Sequence, residues 1–396
     1  MPRLILLSVA LLSLLTVKGT EVTPQVPSAG EPSFAIRLST LGYPTYPSKN
    51  FSKTFGIAPT KLAFADSEHL VVTFISSDPG TPSERQGRPD SFRLRLHILV
   101  FEIRNGSVDA KRDWPTPNPN DGVVAGHDGK IVVRAGDELT LYDTTLKALK
   151  VTDTGPAYES HRRLYRIYTS PSGRFLLLEF NAGADTEYSW MNADNLETLH
   201  SFSERLSFLS ISDTEIGGWR NTPSRQHEFV IRKSNEPGRV IALPNRWSTK
   251  VSFVNEDTIA VESGYSPMPL VRTDGTIIES IAPHHYEWFS RVTTSAEGHR
   301  FAFTGSRIRN TLEIFEPHQT WEYVQRVYIY DMPTHTFACD VKVKHSARNQ
   351  VFPLALSPNG STLAFLDGES LKVYQLPKRQ SIARRKRLIP SMGRPV

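Results

Sequence analysis

The stretch 354–366, LALSPNGSTLAFL, places a four-residue turn between two short apolar runs. The stretch 168–178, YTSPSGRFLLL, has the same arrangement, and five weaker copies of the turn are spread along the chain. When the seven turns are aligned on residues 66, 128, 172, 213, 256, 297 and 359, the aligned positions are separated by 62, 44, 41, 43, 41 and 62 residues. A strand–turn–strand unit that recurs every forty-odd residues is typical of a β-propeller blade. Seven copies predict seven blades.

The segments between the turns are typical of strands. Val, Ile, Thr, Tyr and Phe dominate them, and their apolar residues alternate or run continuously, as in 70–75 and 326–331. The sequence therefore predicts an all-β protein, a seven-bladed β-propeller over 34–377. Its predicted blades are 60–114, 121–154, 160–204, 205–244, 247–283, 286–344 and 349–377.

The seventh blade has only three apolar runs, at 352–356, 362–366 and 371–376. A strand from the other end of the chain often completes the last blade of a closed propeller, because it removes the open sheet edges. The segment 34–41 alternates weakly between apolar and polar residues. We expect it to pair with blade seven and to close the ring.

The turns Ser-Pro-Ser-Gly at 170–173 and Ser-Pro-Asn-Gly at 357–360 carry a resemblance to a known family. They resemble the Ser-Pro-Asp-Gly turn of WD40-like repeats in exported bacterial propellers of the TolB type. The resemblance covers 60–377 as a repeat pattern, and a partial copy occurs at 295–298. It implies a propeller that serves as a binding platform, although a fold alone does not decide activity.

The N-terminal residues predict export. An apolar run from Leu4 to Val17 lies between Arg3 and Lys18, which is typical of a signal peptide over 1–19. An uncleaved anchor is the alternative, but the run is shorter than the roughly 20 residues that cross a bilayer. We expect a secreted or periplasmic protein in which 20–33, rich in Pro, Ser and Gly, forms a flexible spacer.

The single cysteine and the charge distribution limit the disulfides and the partners that the protein can have. Cys339 excludes an internal disulfide and is expected to be a half-buried residue on an outer strand of blade six. The net charge of +5 arises in 378–396, a predicted disordered tail with seven basic residues and no acid. Without those seven, 39 basic residues face 41 acidic ones, so no nucleic-acid partner is expected. The tail alone predicts adhesion to an anionic envelope surface.

Two long inserts give the first candidate binding surface. The segments 76–92 and 305–321 follow the second strands of blades one and six, which are expected to flank blade seven on one face. The second insert contains Arg307, Arg309, Phe315 and Trp321. Exposed aromatic and arginine side chains are typical of contact surfaces for a protein, a peptide or a glycan. The alternative is that this insert folds back onto its own blade.

A second candidate site is a partial ring of cations. The basic residues at the entry of four innermost strands are Lys61, Arg166, Lys250 and Arg291. They would attract an anionic ligand at the mouth of the central channel, unless each pairs with a neighbouring carboxylate.

Histidines precede several inner strands, at 161, 284, 285 and 345, but their spacing defines no ligand geometry, and we expect neither a metal nor a cofactor. No nucleophile elbow, zinc-protease motif or phosphate loop is present. The sequence thus favours an exported binding protein over an enzyme. Two alternatives remain. One is a hydrolase or lyase that acts on a polyanionic or carbohydrate substrate at the channel mouth, and the other is a structural envelope protein.

Overall fold

The computed structural model of the protein describes 26–41, 60–77, 94–116, 118, 120–154, 162–182, 185–221, 227–233, 236–244, 250–262, 267–283, 288–310, 321–343 and 352–379. These residues form 28 β-strands in seven antiparallel four-stranded sheets. The all-β, seven-bladed prediction is confirmed. No helix in the described part of the chain is long and apolar enough to cross a membrane.

Blades one to six each consist of four consecutive strands. Blade one contains β2 (Lys61–Phe64), β3 (His69–Ser77), β4 (Leu94–Glu102) and β5 (Val108–Thr116), and blade two contains β6 (Gly122–His127), β7 (Lys130–Ala135), β8 (Glu138–Asp143) and β9 (Ala148–Asp153). Blade three contains β10 (Arg162–Thr169), β11 (Phe175–Ala182), β12 (Asp185–Asn192) and β13 (Glu197–Ser203), and blade four contains β14 (Leu206–Ile211), β15 (Glu215–Asn221), β16 (His227–Lys233) and β17 (Arg239–Ile241). Blade five contains β18 (Lys250–Phe253), β19 (Thr258–Glu262), β20 (Met268–Arg272) and β21 (Ile277–Ile281), and blade six contains β22 (Trp288–Thr294), β23 (Arg300–Asn310), β24 (Trp321–Asp331) and β25 (Thr336–Val343).

Blade seven combines both ends of the described chain. It contains β26 (Leu354–Leu356), β27 (Thr362–Asp367), β28 (Ser370–Gln375) and, as its outermost strand, β1 (Phe34–Arg37). β1 runs antiparallel to β28, with Phe34 opposite Val373 and Arg37 opposite Ser370. The predicted closure by an N-terminal strand is confirmed. The strand ends earlier than predicted because 38–41 forms a turn of 3₁₀ helix, which buries Leu38 completely between blades seven and one.

The segment before β1 is attached to blade six. The backbone N–H of Ala29 donates to the carbonyl of Asp340 (2.9 Å), and the N–H of Asp340 donates to the carbonyl of Pro27 (2.7 Å). Within 20–33, for which the sequence predicts a spacer, the part from Val26 onward therefore lies along the outer edge of β25.

The core consists of the layers between neighbouring sheets. Val71, Ile75 and Leu96 of blade one, for example, pack against Ile131 and Val133 of blade two. A sheet covered on both faces buries consecutive residues, so its strands are continuous apolar runs rather than alternating ones. The first strands of the seven blades surround a central cavity of about 260 Å³ with small or uncharged residues such as Ala63, Thr169, Ser210, Ser252 and Ala355.

The recurring turns lie on one face, which we call the turn face, and connect neighbouring blades. The N–H of Gly129 donates to the carbonyl of Ala65 (3.0 Å), and Ser172 Oγ donates to Asp213 Oδ1 (2.5 Å). The N–H of Glu297 donates to the carbonyl of Pro358 (3.1 Å). The motif that reveals the fold thus also holds successive blades together.

Cys339 lies on β25, the outer strand of blade six. It is completely buried rather than half-buried, since it packs among Ile329, Val341 and Phe365 in the layer between blades six and seven. Burial raises the pKa of its thiol to about 12, so the thiol is protonated and unreactive at neutral pH.

Candidate binding site at the channel mouth

The innermost strands begin on the face opposite the turns, which we call the mouth face. Lys61, the first residue of β2, lies opposite Thr73, and β3 continues from there to Ser77 before the chain leaves the blade. In blade six, Trp288 at the start of β22 lies opposite Ser306 of β23. Both long inserts therefore leave their blades on the mouth face.

The structure corrects the bounds of the inserts. β3 includes Ser76 and Ser77, and β4 begins at Leu94. In blade six the segment 305–321 is not a loop throughout, because β23 extends to Asn310 and β24 begins at Trp321. Among the described residues, the parts of these two strands beyond Ser306 pair with each other alone and form a two-stranded ribbon that continues past β22 and β25.

Blade seven lies between blades one and six. Its own turn on the mouth face is short, since Asp367 of β27 pairs with Ser370 of β28 and only Gly368 and Glu369 lie between them. Within the described residues, this short turn therefore lies between the hairpins β3–β4 and β23–β24.

Four described inner strands, β6, β10, β14 and β22, carry bulges near the mouth, and those of β10 and β14 contain aromatic residues. The register of β10 shifts between Leu164 and Arg166, and that of β14 shifts between Ser207 and Ser210. A bulge adds an unpaired residue and redirects its side chain. Tyr165 in the first bulge and Phe208 in the second are 46% and 47% exposed, respectively. Phe208 also has a φ of +51°, a conformation that costs a bulky side chain about 1–2 kcal/mol.

Arg166 lies against Tyr165. Its guanidinium carbon is 4.6 Å from the centre of the tyrosine ring, and Nη2 donates to the tyrosine hydroxyl (3.1 Å). Behind them, the Tyr168 hydroxyl donates to Glu179 Oε2 (2.7 Å). Burial lowers the pKa of Arg166, but its hydrogen bond with Tyr168 and the charge of Glu179 outweigh that effect and raise it. The pair thus presents a permanent cation beside an aromatic ring.

Lys250 and Lys61 have different surroundings. Lys250 is exposed at the start of β18, opposite Glu262 of β19. Lys61 instead donates from Nζ to the carbonyl of Asn120 in the junction between blades one and two. Burial, and next the charge of Arg134, lower the pKa of Lys61 to about 8, although Asp121 opposes the shift.

Asp121 belongs to the same junction. Its side chain accepts hydrogen bonds from the hydroxyl of Thr116 and from the N–H of Gly136 (2.7 Å), and it lies 3.7 Å from Arg134 Nε. Burial raises the pKa of Asp121 despite these partners. The buried group of Lys61, Asp121 and Arg134 therefore joins two blades rather than facing the mouth.

The described residues of the mouth converge in one sector. β10 contacts β14, and β14 contacts β18, so blades three, four and five present their inner-strand entries side by side. The exposed residues near these entries include Tyr165, Arg166, Phe208 and Lys250. The sequence analysis missed both aromatic residues. The only available signal was a large apolar residue at a strand entry where other blades carry a cation.

Several predicted residues cannot be placed in the site. Only the backbones of Arg291, Arg307, Arg309 and Trp321 lie within the described structure, and Phe315 lies outside it, as do the histidines at 161, 284, 285 and 345. The described residues contain no group of three or more His, Cys, Asp or Glu that could hold a metal ion.

Comparisons with known protein families and with curated proteins find no match. Among solved structures, the chain is similar to a chain of the mitotic checkpoint complex, with 12% identity over 90% of this chain and 94% of the other and a TM-score of 0.48. It is also similar to the C-terminal WD40 domain of Sif2, with 11% identity, 80% and 95% coverage and a TM-score of 0.44. BamB from Moraxella catarrhalis is 11% identical, with 79% and 84% coverage and a TM-score of 0.39.

Proposed function

We propose that the protein is an exported binding protein that holds an acidic segment of a partner protein on its mouth face. The observation that carries the proposal is the exposure of Tyr165 and Phe208 next to Arg166 and Lys250 on three consecutive blades. The apolar run from Leu4 to Val17 supports export.

The conformation of Phe208 argues for binding rather than folding. An aromatic residue at positive φ is strained, and half of the Phe208 ring contributes nothing to the core because it is exposed. Strain of this kind concentrates at ligand sites, and aromatic side chains supply much of the free energy of protein association. A role in binding explains why this strained bulge is retained, whereas packing in the core does not explain it.

Charge complementarity selects the partner. Arg166 and Lys250 are exposed at these strand entries, and both are positive. An acidic peptide segment with an apolar or aromatic residue satisfies the cations and the rings together. A neutral glycan stacks on the rings but gains nothing from the two cations. The ribbon β23–β24 leaves blade six on the same face, and we propose that Arg307, Arg309, Phe315 and Trp321, which belong to this insert in the sequence, contribute to binding.

Binding can be measured with peptides of defined chemistry. A display library of acidic peptides is screened on the purified protein, and the tightest binder is resynthesised with fluorescein for anisotropy titrations. We expect Phe208→Ala to weaken its binding by about 10–30-fold, as for a central aromatic contact, and high salt to weaken it further.

The matched control is Val240→Ala, since Val240 is equally exposed (52%) but lies on the outer strand β17. This variant is expected to bind like the wild type. Equal affinities of the Phe208→Ala and wild-type proteins would overturn the proposal, and so would binding to a neutral glycan array but to no acidic peptide.

A further inference from the structure

Blade one carries a line of three polar side chains outside the channel-mouth site. Ser76 lies on β3, His97 on β4 and Asp113 on β5. The distance between Ser76 Oγ and His97 Nε2 is 2.7 Å, and the distance between His97 Nδ1 and Asp113 Oδ1 is 2.8 Å. A hydroxyl, an imidazole and a carboxylate linked in this order form the arrangement that activates a serine nucleophile.

The hydrogen bonds define the tautomer of the imidazole. An ionised carboxylate only accepts, so Nδ1 of His97 carries the proton and donates it to Asp113. Nε2 is then left with its lone pair and accepts the hydroxyl proton of Ser76. His97 is thus held in the form that a general base requires, and its ring is fixed by stacking on Phe74, with centroids 4.6 Å apart.

The surroundings keep the imidazole neutral. Burial lowers the pKa of His97, while the hydrogen bond and the charge of Asp113 raise it, and the nearby cations Lys111 of β5 and Arg95 of β4 lower it again. The net shift is downward from 6.5. At neutral pH the base is therefore unprotonated and able to take a proton.

The three side chains lie on the face of blade one that looks toward blade seven. Phe74, two residues before Ser76 on the same face of β3, packs with Leu366 and Leu371 of blade seven. Ser76 is the penultimate residue of β3, at the mouth end of that strand. Within the described structure the side chains of Ser76 and His97 are only partly buried, so part of each is accessible to a small ligand.

We propose that Ser76 is the nucleophile, and His97 the general base, of an esterase site on the wall between blades one and seven. Asp113 acts as a positioning residue. The proposed esterase activity is separate from mouth-face binding and does not depend on it.

The chemistry is acyl transfer to water. The Oγ of Ser76 forms a bond to the carbonyl carbon of a carboxylic ester while its proton moves to Nε2 of His97. The ester C–O bond then breaks, and the protonated imidazole gives its proton to the departing alcohol. A water molecule, deprotonated by His97, attacks the acyl-serine and releases a carboxylic acid with Ser76 restored.

Arg95 supplies the stabilising charge and indicates the substrate. It lies directly opposite Ser76 in the register of β3 and β4, so both side chains project from the same face. A guanidinium beside the nucleophile stabilises the oxyanion that forms during attack. With Lys111 on the same face, it favours an ester whose acyl group carries a negative charge.

The test uses a fluorophosphonate probe, which forms a covalent bond with an activated serine, on the full chain. Mass spectrometry of the digested protein is expected to place the adduct on Ser76, and Ser76→Ala to abolish it. We expect His97→Gln to slow labelling at least about 100-fold. Asp113→Asn is expected to slow it at least about tenfold. Mono-p-nitrophenyl succinate should be hydrolysed faster than p-nitrophenyl acetate.

A pH profile separates positioning from structural support. The labelling rate should rise with pH as His97 loses its proton, with a midpoint below 6.5. Asp113→Asn removes the group that raises the pKa of His97, so its midpoint should move to lower pH. The matched control is Ser189→Ala, which removes a blade-three hydroxyl that lies 3.1 Å from Ser201 Oγ, and this variant should label like the wild type.

Thermal unfolding of each variant verifies that it is folded. The proposal is overturned if folded wild-type protein gives no Ser76 adduct at neutral pH. It is also overturned if folded His97→Gln is labelled at the wild-type rate.

Discussion

The turn face and the mouth face differ in what their side chains contact. On the turn face, polar side chains and backbone groups are used to join blades: Glu256 accepts hydrogen bonds from the N–H of Asp213 (3.0 Å) and from the hydroxyl of Thr214 (3.0 Å). On the mouth face, Tyr165, Phe208 and Lys250 remain exposed. The repeat is regular where it holds the ring together, and it is broken by bulges and long hairpins where the surface is available to a partner.

The close approach of the turns explains their glycines. Gly173 has a φ of +78°, and a Cβ atom there would lie 2.5 Å from the carbonyl oxygen of Gly126 in the preceding blade. A larger residue would strain its own backbone and push two blades apart. The turn face therefore tolerates little change, whereas the mouth face has room for it.

The largest effect on the free energy of unfolding is expected when a buried cation of the turn face is removed. Arg300 is buried, pairs with Asp331 (3.1 Å) and donates to the carbonyls of Gly360 (3.0 Å) and Pro377 (2.9 Å). Arg300→Ala leaves the Asp331 carboxylate buried without this cation, which should lower the free energy of unfolding by about 3–5 kcal/mol. Urea denaturation measures the loss.

Arg166→Ala on the mouth face provides the matched comparison, because this arginine is exposed. We expect it to change the free energy of unfolding by less than about 1 kcal/mol. Similar losses of unfolding free energy in the two variants would contradict the view that the turn face stabilises the fold while the mouth face contributes little to stability.

A smaller effect on stability is expected from Lys61, the mouth-face cation whose side chain points into the junction between blades one and two. Its pKa is lowered from 10.5 to about 8, so between these pH values the unfolded chain binds more protons than the folded one. The free energy of unfolding should therefore rise with pH in this window, by an amount on the order of 2 kcal/mol. Below pH 8 the cost of burying the charge is fully present.

Lys61→Met isolates this contribution. Unfolding is measured in urea at pH 8 and pH 10.5 for both proteins, and the difference between the two pH values is compared, so that titration of other groups cancels. We expect a smaller rise with pH in the variant. An identical rise would mean that Lys61 is solvated and belongs with the exposed cations of the mouth.

The smallest effect on stability is expected at the strained bulge of blade four. Phe208→Gly relieves the positive-φ conformation but loses the packing of the half-buried ring, so the two changes should cancel to within about 1 kcal/mol. Thermal unfolding together with peptide anisotropy tests this prediction. A loss of several kcal/mol with unchanged peptide binding would assign Phe208 to the core instead of the binding surface.

Much of the fold follows from local sequence. The turn spacing predicts seven blades, and the three-stranded seventh blade together with the alternating segment at 34–41 predicts closure of the ring, which the structure confirms with a strand over Phe34–Arg37. The bounds of the second insert were wrong, because β23 extends to Asn310 and β24 begins at Trp321, so that both ends of the predicted loop belong to strands.

The candidate site was less predictable than the fold. Repeat position placed Lys61, Arg166 and Lys250 alike at the entry of an inner strand, but in the structure Lys61 and Lys250 begin β2 and β18 while Arg166 is the fifth residue of β10. Side-chain direction depends on bulges and on the neighbouring blade. Lys61 reaches the carbonyl of Asn120, while the bulge at Tyr165 turns its ring outward.

The sequence by itself determined the all-β class, the number of blades and the ring closure, because turn chemistry and two-residue periodicity act over a few neighbouring residues. Only the tertiary structure decided which side chains meet. Ser76, His97 and Asp113 are separated by 21 and 16 residues and share no motif. They align because the register of three antiparallel strands places them side by side, and strand register is a property of the folded sheet.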